Sequence, residues 1–258
     1  MPAENTSRLW IPMTFLARIF LNSLISLRNV KKDGGIDLAV TNYYSVHTDG
    51  IGDRAIRYKS SLPVGRVFKW NETKRFLLHE LLTIHSCTFR TELMRRAAEP
   101  LPKHVFYEDN LMVFRTLPHV EKMLYLDINL YRYWIGRPDQ SVQENAMKKR
   151  YTHNLLVVEK CFSSFKFDEV AEPMLKKYLK HEMFVLFGIA ILYTRMNKTP
   201  EVDVHLNEMW QKCIAHDEKW GKHFRYRTPL ALICLPGKFG QHFCSFINWV
   251  ANHVVRFN

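Results

Sequence analysis

The chain has 258 residues, of which 47% are apolar and 13% aromatic. That is enough material for one large folded domain or two small ones, and it excludes a disordered chain. The 37 basic and 25 acidic residues give a formal net charge of +12. Such an excess predicts an anionic neighbour, whether nucleic acid, a phospholipid surface or a phosphorylated substrate, without choosing among them.

The cysteines and the hydropathy pattern indicate the cellular compartment in which the protein is expected. The five cysteines are scattered, and none forms a Cys-x-x-Cys pair, so neither a disulfide framework nor a zinc site is indicated. A reducing cytoplasm, with the thiols as small buried hydrophobes, is the simplest interpretation. The longest apolar stretch, residues 9–27, is interrupted by Pro12 and Arg18 and does not resemble a spanning helix. We therefore expect a cytoplasmic protein.

The first third of the chain predicts a helix and then a hairpin. Residues 1–28 carry one apolar stripe at helical spacing, which Asp33-Gly34-Gly35 ends. The β-branched and aromatic run over 36–44 predicts a strand. A glycine-containing turn at 49–53 then leads into a second strand around 55–58, and together the two strands suggest a β-hairpin.

The remaining pattern predicts a mixed α/β region followed by a helical one. A helix is predicted from Asn71 because four apolar residues fall on one side of it: Phe76, Leu77, Leu81 and Leu82. The next predicted elements are a strand over 84–89, a helix from Thr91, a helix over 109–117, and strands over 120–126 and 129–135. Beyond Val142 helical periodicity dominates to a last helix over 238–257.

An acidic pair, Glu108 and Asp109, stands immediately before the apolar helical run. A helix dipole keeps a carboxylate at its start ionised. A carboxylate positioned beside a hydroxyl can act as a general base, which is typically worth about 10²–10⁴-fold in rate. Aspartate is also a frequent helix cap, and the residues alone favour that structural role for Asp109.

A loop reading Gly-Arg-Pro-Asp-Gln-Ser-Val, residues 136–142, follows the last predicted strand. Arg137 offers a planar set of donors that suits diphosphate oxygens, and Gln140 and Ser141 add neutral donors. Such groups stabilise a leaving group on which negative charge develops. The alternative is an ordinary Gly-Arg-Pro turn followed by a serine that caps a helix.

Three segments resemble bacterial family 2 glycosyltransferases of the GT-A type, which build capsule, exopolysaccharide and wall glycans. They are the acidic pair, the loop at 136–142 and a His-Ser-Cys-Thr-Phe-Arg-Thr stretch that contains His85 and Ser86. The resemblance extends from about residue 36 to the C-terminus and is most specific at 136–142. It implies inverting transfer of a sugar from a nucleotide-diphosphate donor to a glycan or lipid-linked acceptor, with Asp109 as the general base. It implies substrate contacts from Glu108, His85, Ser86, Arg137, Gln140 and Ser141. On the residues alone, a histidine in a strand is more often a structural residue.

The chain departs from the family at its start. Family members begin with a nucleotide-sugar-binding half that ends in an Asp-x-Asp motif, which holds a divalent cation, Mg or Mn. No Asp-x-Asp occurs here, and without it the diphosphate loses its main charge partner. We therefore expect a truncated transferase: residues 1–142 as a partial α/β domain on the acceptor side and 143–258 as a helical region. Gene disruption, a wrong start codon or division between two chains could each explain the truncation, and in the last case a separate chain would supply the donor half.

Two other interpretations remain open. The chain could be a catalytically inactive remnant that acts only as a binding or partner module. It could also be a basic helical protein that contacts an anionic membrane from the cytoplasmic side or binds nucleic acid. Nucleic acid is the weaker choice, because the basic residues are not interleaved with aromatics as a stacking platform. The common metal-protease, phosphate-loop, nucleophile-elbow and dinucleotide motifs are missing from the sequence.

Overall fold

The computed structural model describes residues 35–47, 53–97, 99–135, 144–197, 199–235 and 237–250, which form a mixed α/β structure. The strands are β1 (Leu38–His47), β2 (Arg54–Ile56), β3 (Val67–Phe68), β4 (Cys87–Phe89) and β5 (Met123–Ile135). The helices are α1 (Thr91–Ala97), α2 (Glu108–Thr116), α3 (Glu144–Lys149), α4 (Tyr151–Phe162), α5 (Pro173–Arg195), α6 (Glu201–His216), α7 (Glu218–Tyr226), α8 (Leu230–Ile233) and α9 (Gly237–Val250).

The five strands form one mixed sheet that is organised around β1. The strand order is β2-β1-β5-β3, and β4 also pairs with β1. β1 is antiparallel to β2 and β4 and parallel to β5 over its whole length, from Leu38 beside Met123 to His47 beside Ile135. The antiparallel pairing of β1 with β2 confirms the predicted hairpin. The parallel pair places the carboxyl ends of β1 and β5 side by side.

The prediction of two strands over 120–126 and 129–135 is wrong, because β5 runs unbroken through both. Its register against β1 shifts on either side of Asn42. There the Nδ2 of Asn42 donates to Asp127 at 2.6 Å, and the Tyr125 hydroxyl donates to the Oδ1 of Asn42 at 2.6 Å. Asp127 therefore does not end a strand, since the β-bulge and these hydrogen bonds absorb the irregularity.

The helix predicted from Asn71 is also wrong, because the chain makes one short 3-10 turn there and then runs irregularly to β4. Side-chain bonds replace the helical ones. The buried carboxylate of Glu80 accepts the N–H of Leu77 at 2.7 Å, and the N–H of Leu82 donates to the Tyr178 hydroxyl of α5 at 2.7 Å. The first of these hydrogen bonds is local and the second is tertiary, and together they hold the segment in a non-helical conformation despite its helical apolar spacing.

The other helix predictions are confirmed, including a helix from Thr91, one close to 109–117 and a helical region after 142. The predicted helix over 1–28 lies outside the described residues, and so does the part of the predicted helix 238–257 that follows Val250. The sheet and the helical region share one hydrophobic core. For example, the ring of Tyr178 lies 4.5 Å from Phe76 and 5.6 Å from Trp70, measured between centroids. All five cysteines are free. Burial was predicted for all of them, and it is confirmed for Cys161, Cys213 and Cys244, whereas Cys87 and Cys234 are half-buried.

Candidate functional site

Three tyrosines of the parallel pair surround the ring of His85. Tyr43 lies beside Tyr131 in the β1–β5 register, and Tyr133 follows two residues later on the same face of β5. The His85 ring stacks on Tyr133 with centroids 4.2 Å apart and on Tyr131 at 5.2 Å, and it meets Tyr43 edge-on at 5.6 Å. These four residues form an aromatic platform in the carboxyl-terminal half of the parallel pair. Rings of this kind suit the apolar face of a flat or ring-shaped ligand.

Asp109 lies in the first turn of α2, close enough to His85 for the two charges to interact. Burial raises the pKa of Asp109 above its ordinary value, while His85 and the backbone N–H of Asn110 oppose the rise. Burial likewise lowers the pKa of His85, and Asp109 opposes that fall. The carboxylate is therefore more basic than an exposed aspartate, and it lies beside the aromatic platform.

The backbone is irregular immediately before α2, two residues ahead of Asp109. Tyr107 occupies the position before the helix with a left-handed backbone, at a φ of 71°. A non-glycine residue adopts this region rarely, and such outliers cluster at functional sites. Asp109 is the second residue of the helix and not its cap, so the capping alternative does not describe it. Glu108 is the first helical residue and raises the pKa of Asp109 by charge repulsion.

Ser86 follows His85 but is turned into the core, where 1% of its surface is exposed. Its hydroxyl is hydrogen-bonded to the Tyr58 hydroxyl at 3.0 Å, and it donates to the Thr83 carbonyl at 2.9 Å. The N–H of Thr83 donates back to it at 3.2 Å. These bonds close the turn that presents His85. The burial of Ser86 therefore does not support the predicted contact with a substrate.

The remaining predicted residues, Arg137, Gln140 and Ser141, lie outside the described residues. The site thus brings together Asp109, Glu108 and His85. The aromatic platform was missed at the sequence level. Its signal was the alternation of aromatic and polar residues over 131–133, which indicates a strand but does not reveal that the same face meets His85.

A metal cluster and a membrane-spanning helix each have requirements with which the described residues can be compared. No group of three or more His, Cys, Asp or Glu side chains within the described ranges is arranged to hold a metal ion. None of the helices in the described part of the chain combines the length and the apolarity needed to cross a bilayer. Comparisons with protein-family models, curated proteins and solved structures find no match to this chain.

Proposed function

We propose that this chain is the acceptor-side portion of an inverting, GT-A-type sugar transferase in which Asp109 is the general base. The observation that carries the proposal is the partly buried carboxylate of Asp109 beside the His85–tyrosine platform, in the carboxyl-terminal half of two parallel strands. In open sheets with parallel strands, ligands typically bind outside the carboxyl ends of the strands.

The chemistry of the residues supports an acceptor sugar here. Aromatic rings pack on the apolar face of a sugar ring. A carboxylate whose pKa is raised takes a hydroxyl proton more readily as the oxygen attacks the anomeric carbon of the donor. In this proposal Asp109 accepts that proton, Glu108 shapes the acceptor site, and His85 contacts acceptor hydroxyls. Arg137, Gln140 and Ser141 would stabilise the leaving diphosphate.

The divalent cation that the family resemblance implies is not part of this proposal. The described residues offer no cluster of carboxylates to hold one, and the sequence has no Asp-x-Asp. Within the part of the chain that the structure describes, the residues therefore do not fit the group. In this proposal such an ion is held by a separate donor half. The roles proposed for this chain are acceptor binding, proton removal and stabilisation of the leaving group by its own side chains.

The first experiment measures acceptor binding, since that does not depend on a donor half. The full chain is titrated with bacterial glycan fragments and lipid-linked diphosphate sugars while saturation-transfer NMR reports contacts. We expect saturable binding of at least one saccharide, weakened at least about tenfold by Tyr133→Ala because the stacked ring is lost. Glu201→Gln, which changes an exposed first-turn carboxylate of α6, is the matched control and should bind normally.

The second experiment tests the base. Nucleoside diphosphate release is measured with the donor half present, together with a panel of nucleotide sugars, manganese and the acceptor found above. Asp109→Asn should lower turnover by about 10²–10⁴-fold while acceptor binding persists. Equal turnover in the variant would remove Asp109 from the mechanism. Acceptor binding without any turnover by the unmodified chain would favour the inactive binding module, and the absence of both would reject the glycan site.

A further inference from the structure

A second site lies between α5 and α7, apart from the His85 platform. The face of α5 that carries Met174, Tyr178 and His181 opens onto a groove of about 430 Å³. The chain at 74–76 closes one side, and α7 with Thr228 closes the other. Binding pockets typically have volumes of about 300–1,000 Å³ and an apolar lining with a few polar groups. The groove therefore has the size of a small-molecule site.

The floor of the groove is aromatic. Phe76, Tyr178 and Phe224 are almost fully buried and line it, while Trp220 and Phe184 are half-buried at its sides. The helical spacing of the residues that α5 contributes explains why they share one face. The floor offers an apolar surface to a ligand body that is flat or short.

The rim of the groove is cationic. Lys74, Arg75, Lys177 and Lys180 all line it, and among the described residues none of the four has a carboxylate within 4 Å. The nearby Asp168 is already engaged, because its carboxylate accepts from the Lys219 ammonium at 2.6 Å and from the Trp220 indole at 3.1 Å. Lys180 instead lies 4.3 Å above the Trp220 ring. The groove thus collects an excess of positive charge, which the longer-range interactions of Asp168 with Lys180 and of Glu80 with His181 offset only in part.

Two histidines of the groove respond to this charge. Burial lowers the pKa of His181 and of His223. Arg75 lowers the pKa of His181 further, while a backbone hydrogen bond at Leu77 and the charge of Glu80 oppose the fall. Lys180 lowers the pKa of His223 further. The Nε2 atom of His181 is buried and has no hydrogen-bond partner in the described part of the chain. An anion in the groove would relieve the repulsion, and one of its oxygens could satisfy that nitrogen.

We propose that the groove between α5 and α7 binds an organic phosphate. Its phosphoryl group lies among Arg75, Lys177 and Lys180, and its apolar or aromatic body packs on the floor formed by Phe76 and Phe224. Lysine and arginine suit phosphate oxygens as charged donors. The enclosed aromatic floor distinguishes this site from a flat basic surface, which would bind anions without regard to their organic part.

The test uses 1-naphthyl phosphate as the probe and isothermal titration calorimetry as the measurement. Inorganic phosphate and 1-naphthol are the matched half-ligands. We expect saturable binding of 1-naphthyl phosphate, at least about tenfold tighter than that of either half, because both the charge and the apolar body contribute. Equal binding of inorganic phosphate would mean that the floor plays no part and would overturn the proposal.

Charge variants locate the site. Lys177→Gln with Lys180→Gln should weaken 1-naphthyl phosphate at least about tenfold, since two charge-assisted contacts are lost. The control pair Lys59→Gln with Lys103→Gln removes the same charge from exposed lysines that do not line the groove, and it should bind like the unmodified chain. Equal losses in both pairs would show general charge attraction and reject the site. Binding only to phosphatidylglycerol vesicles, with none to the probe, would assign the surface to a membrane and also reject it.

Discussion

Glu182, in the middle of α5, is expected to make the stability of this protein depend on pH. Its residue surface is 3% exposed, and its Oε2 atom has no hydrogen-bond partner among the described residues. Burial raises the pKa of Glu182 from 4.5 to about 8, and a hydrogen bond with Tyr178 offsets only part of this rise. An isolated carboxylate in the core is strongly disfavoured, so the folded chain holds the proton.

The sign and the size of this pH dependence follow from the protons that the carboxyl binds in the folded and in the unfolded chain. Below pH 4.5 the carboxyl is protonated in both the folded and the unfolded chain, so it contributes no pH dependence. As the pH rises from 4.5 towards 8, the unfolded chain loses the proton while the folded chain keeps it, which favours unfolding. At about 1.4 kcal/mol per pH unit, the window of roughly 3.5 pH units lowers the free energy of unfolding by about 5 kcal/mol. This is a large part of the stability of a typical domain, which is about 5–15 kcal/mol.

Urea unfolding of Glu182→Gln between about pH 5 and about pH 9 measures this effect against the unmodified chain. Glutamine keeps the size of the side chain and cannot ionise. The variant should therefore gain stability relative to the unmodified chain as the pH rises, by several kcal/mol in all. Glu208→Gln, which changes an exposed carboxylate of α6, should follow the unmodified chain. Parallel pH profiles for Glu182→Gln and the unmodified chain would refute the reasoning.

Two further substitutions test packing and the β-bulge. Asn42→Ala removes the hydrogen bonds that Asp127 and the Tyr125 hydroxyl make to Asn42, whose residue surface is 1% exposed. Chemical denaturation should show that the free energy of unfolding falls by about 1–3 kcal/mol. An unchanged denaturation midpoint would mean that the bulge does not depend on this network. Gly221→Ala should also destabilise by about 1–3 kcal/mol, since a Cβ there would lie 2.9 Å from the Cα of Ile214. A more stable Gly221→Ala variant would show that helix propensity outweighs this contact.

The elements that the sequence predicted well are those whose signal is local. The helix at Glu108–Thr116 and the helices after 142 follow from apolar spacing. The hairpin of β1 and β2 follows from a β-branched and aromatic run, a glycine-containing turn and a short second strand. The acidic pair at Glu108 and Asp109 was likewise visible as a candidate, because its position before a helix needs no knowledge of distant residues.

The sequence misjudged or missed whatever depends on distant partners. The stretch around Glu80 has helical spacing, yet bonds to Ser61 and between Leu82 and Tyr178 hold it irregular. Those partners lie far apart in the chain, so no window of neighbouring residues contains them. The parallel pairing of β1 with β5 was missed for the same reason, because it joins segments that no window of neighbouring residues contains. The hydrogen bond of Asn42 to Asp127 is an example.

By itself, then, the sequence determined most of the segments that become helices or strands and which carboxylates stand at a helix start, because spacing along the chain governs both. Only the tertiary structure decided that His85 stacks on Tyr131 and Tyr133 beside Asp109, and that Lys177 and Trp220 line one groove. Such sites arise where elements distant in sequence pack together, and burial then changes the pKa values of the groups that meet there.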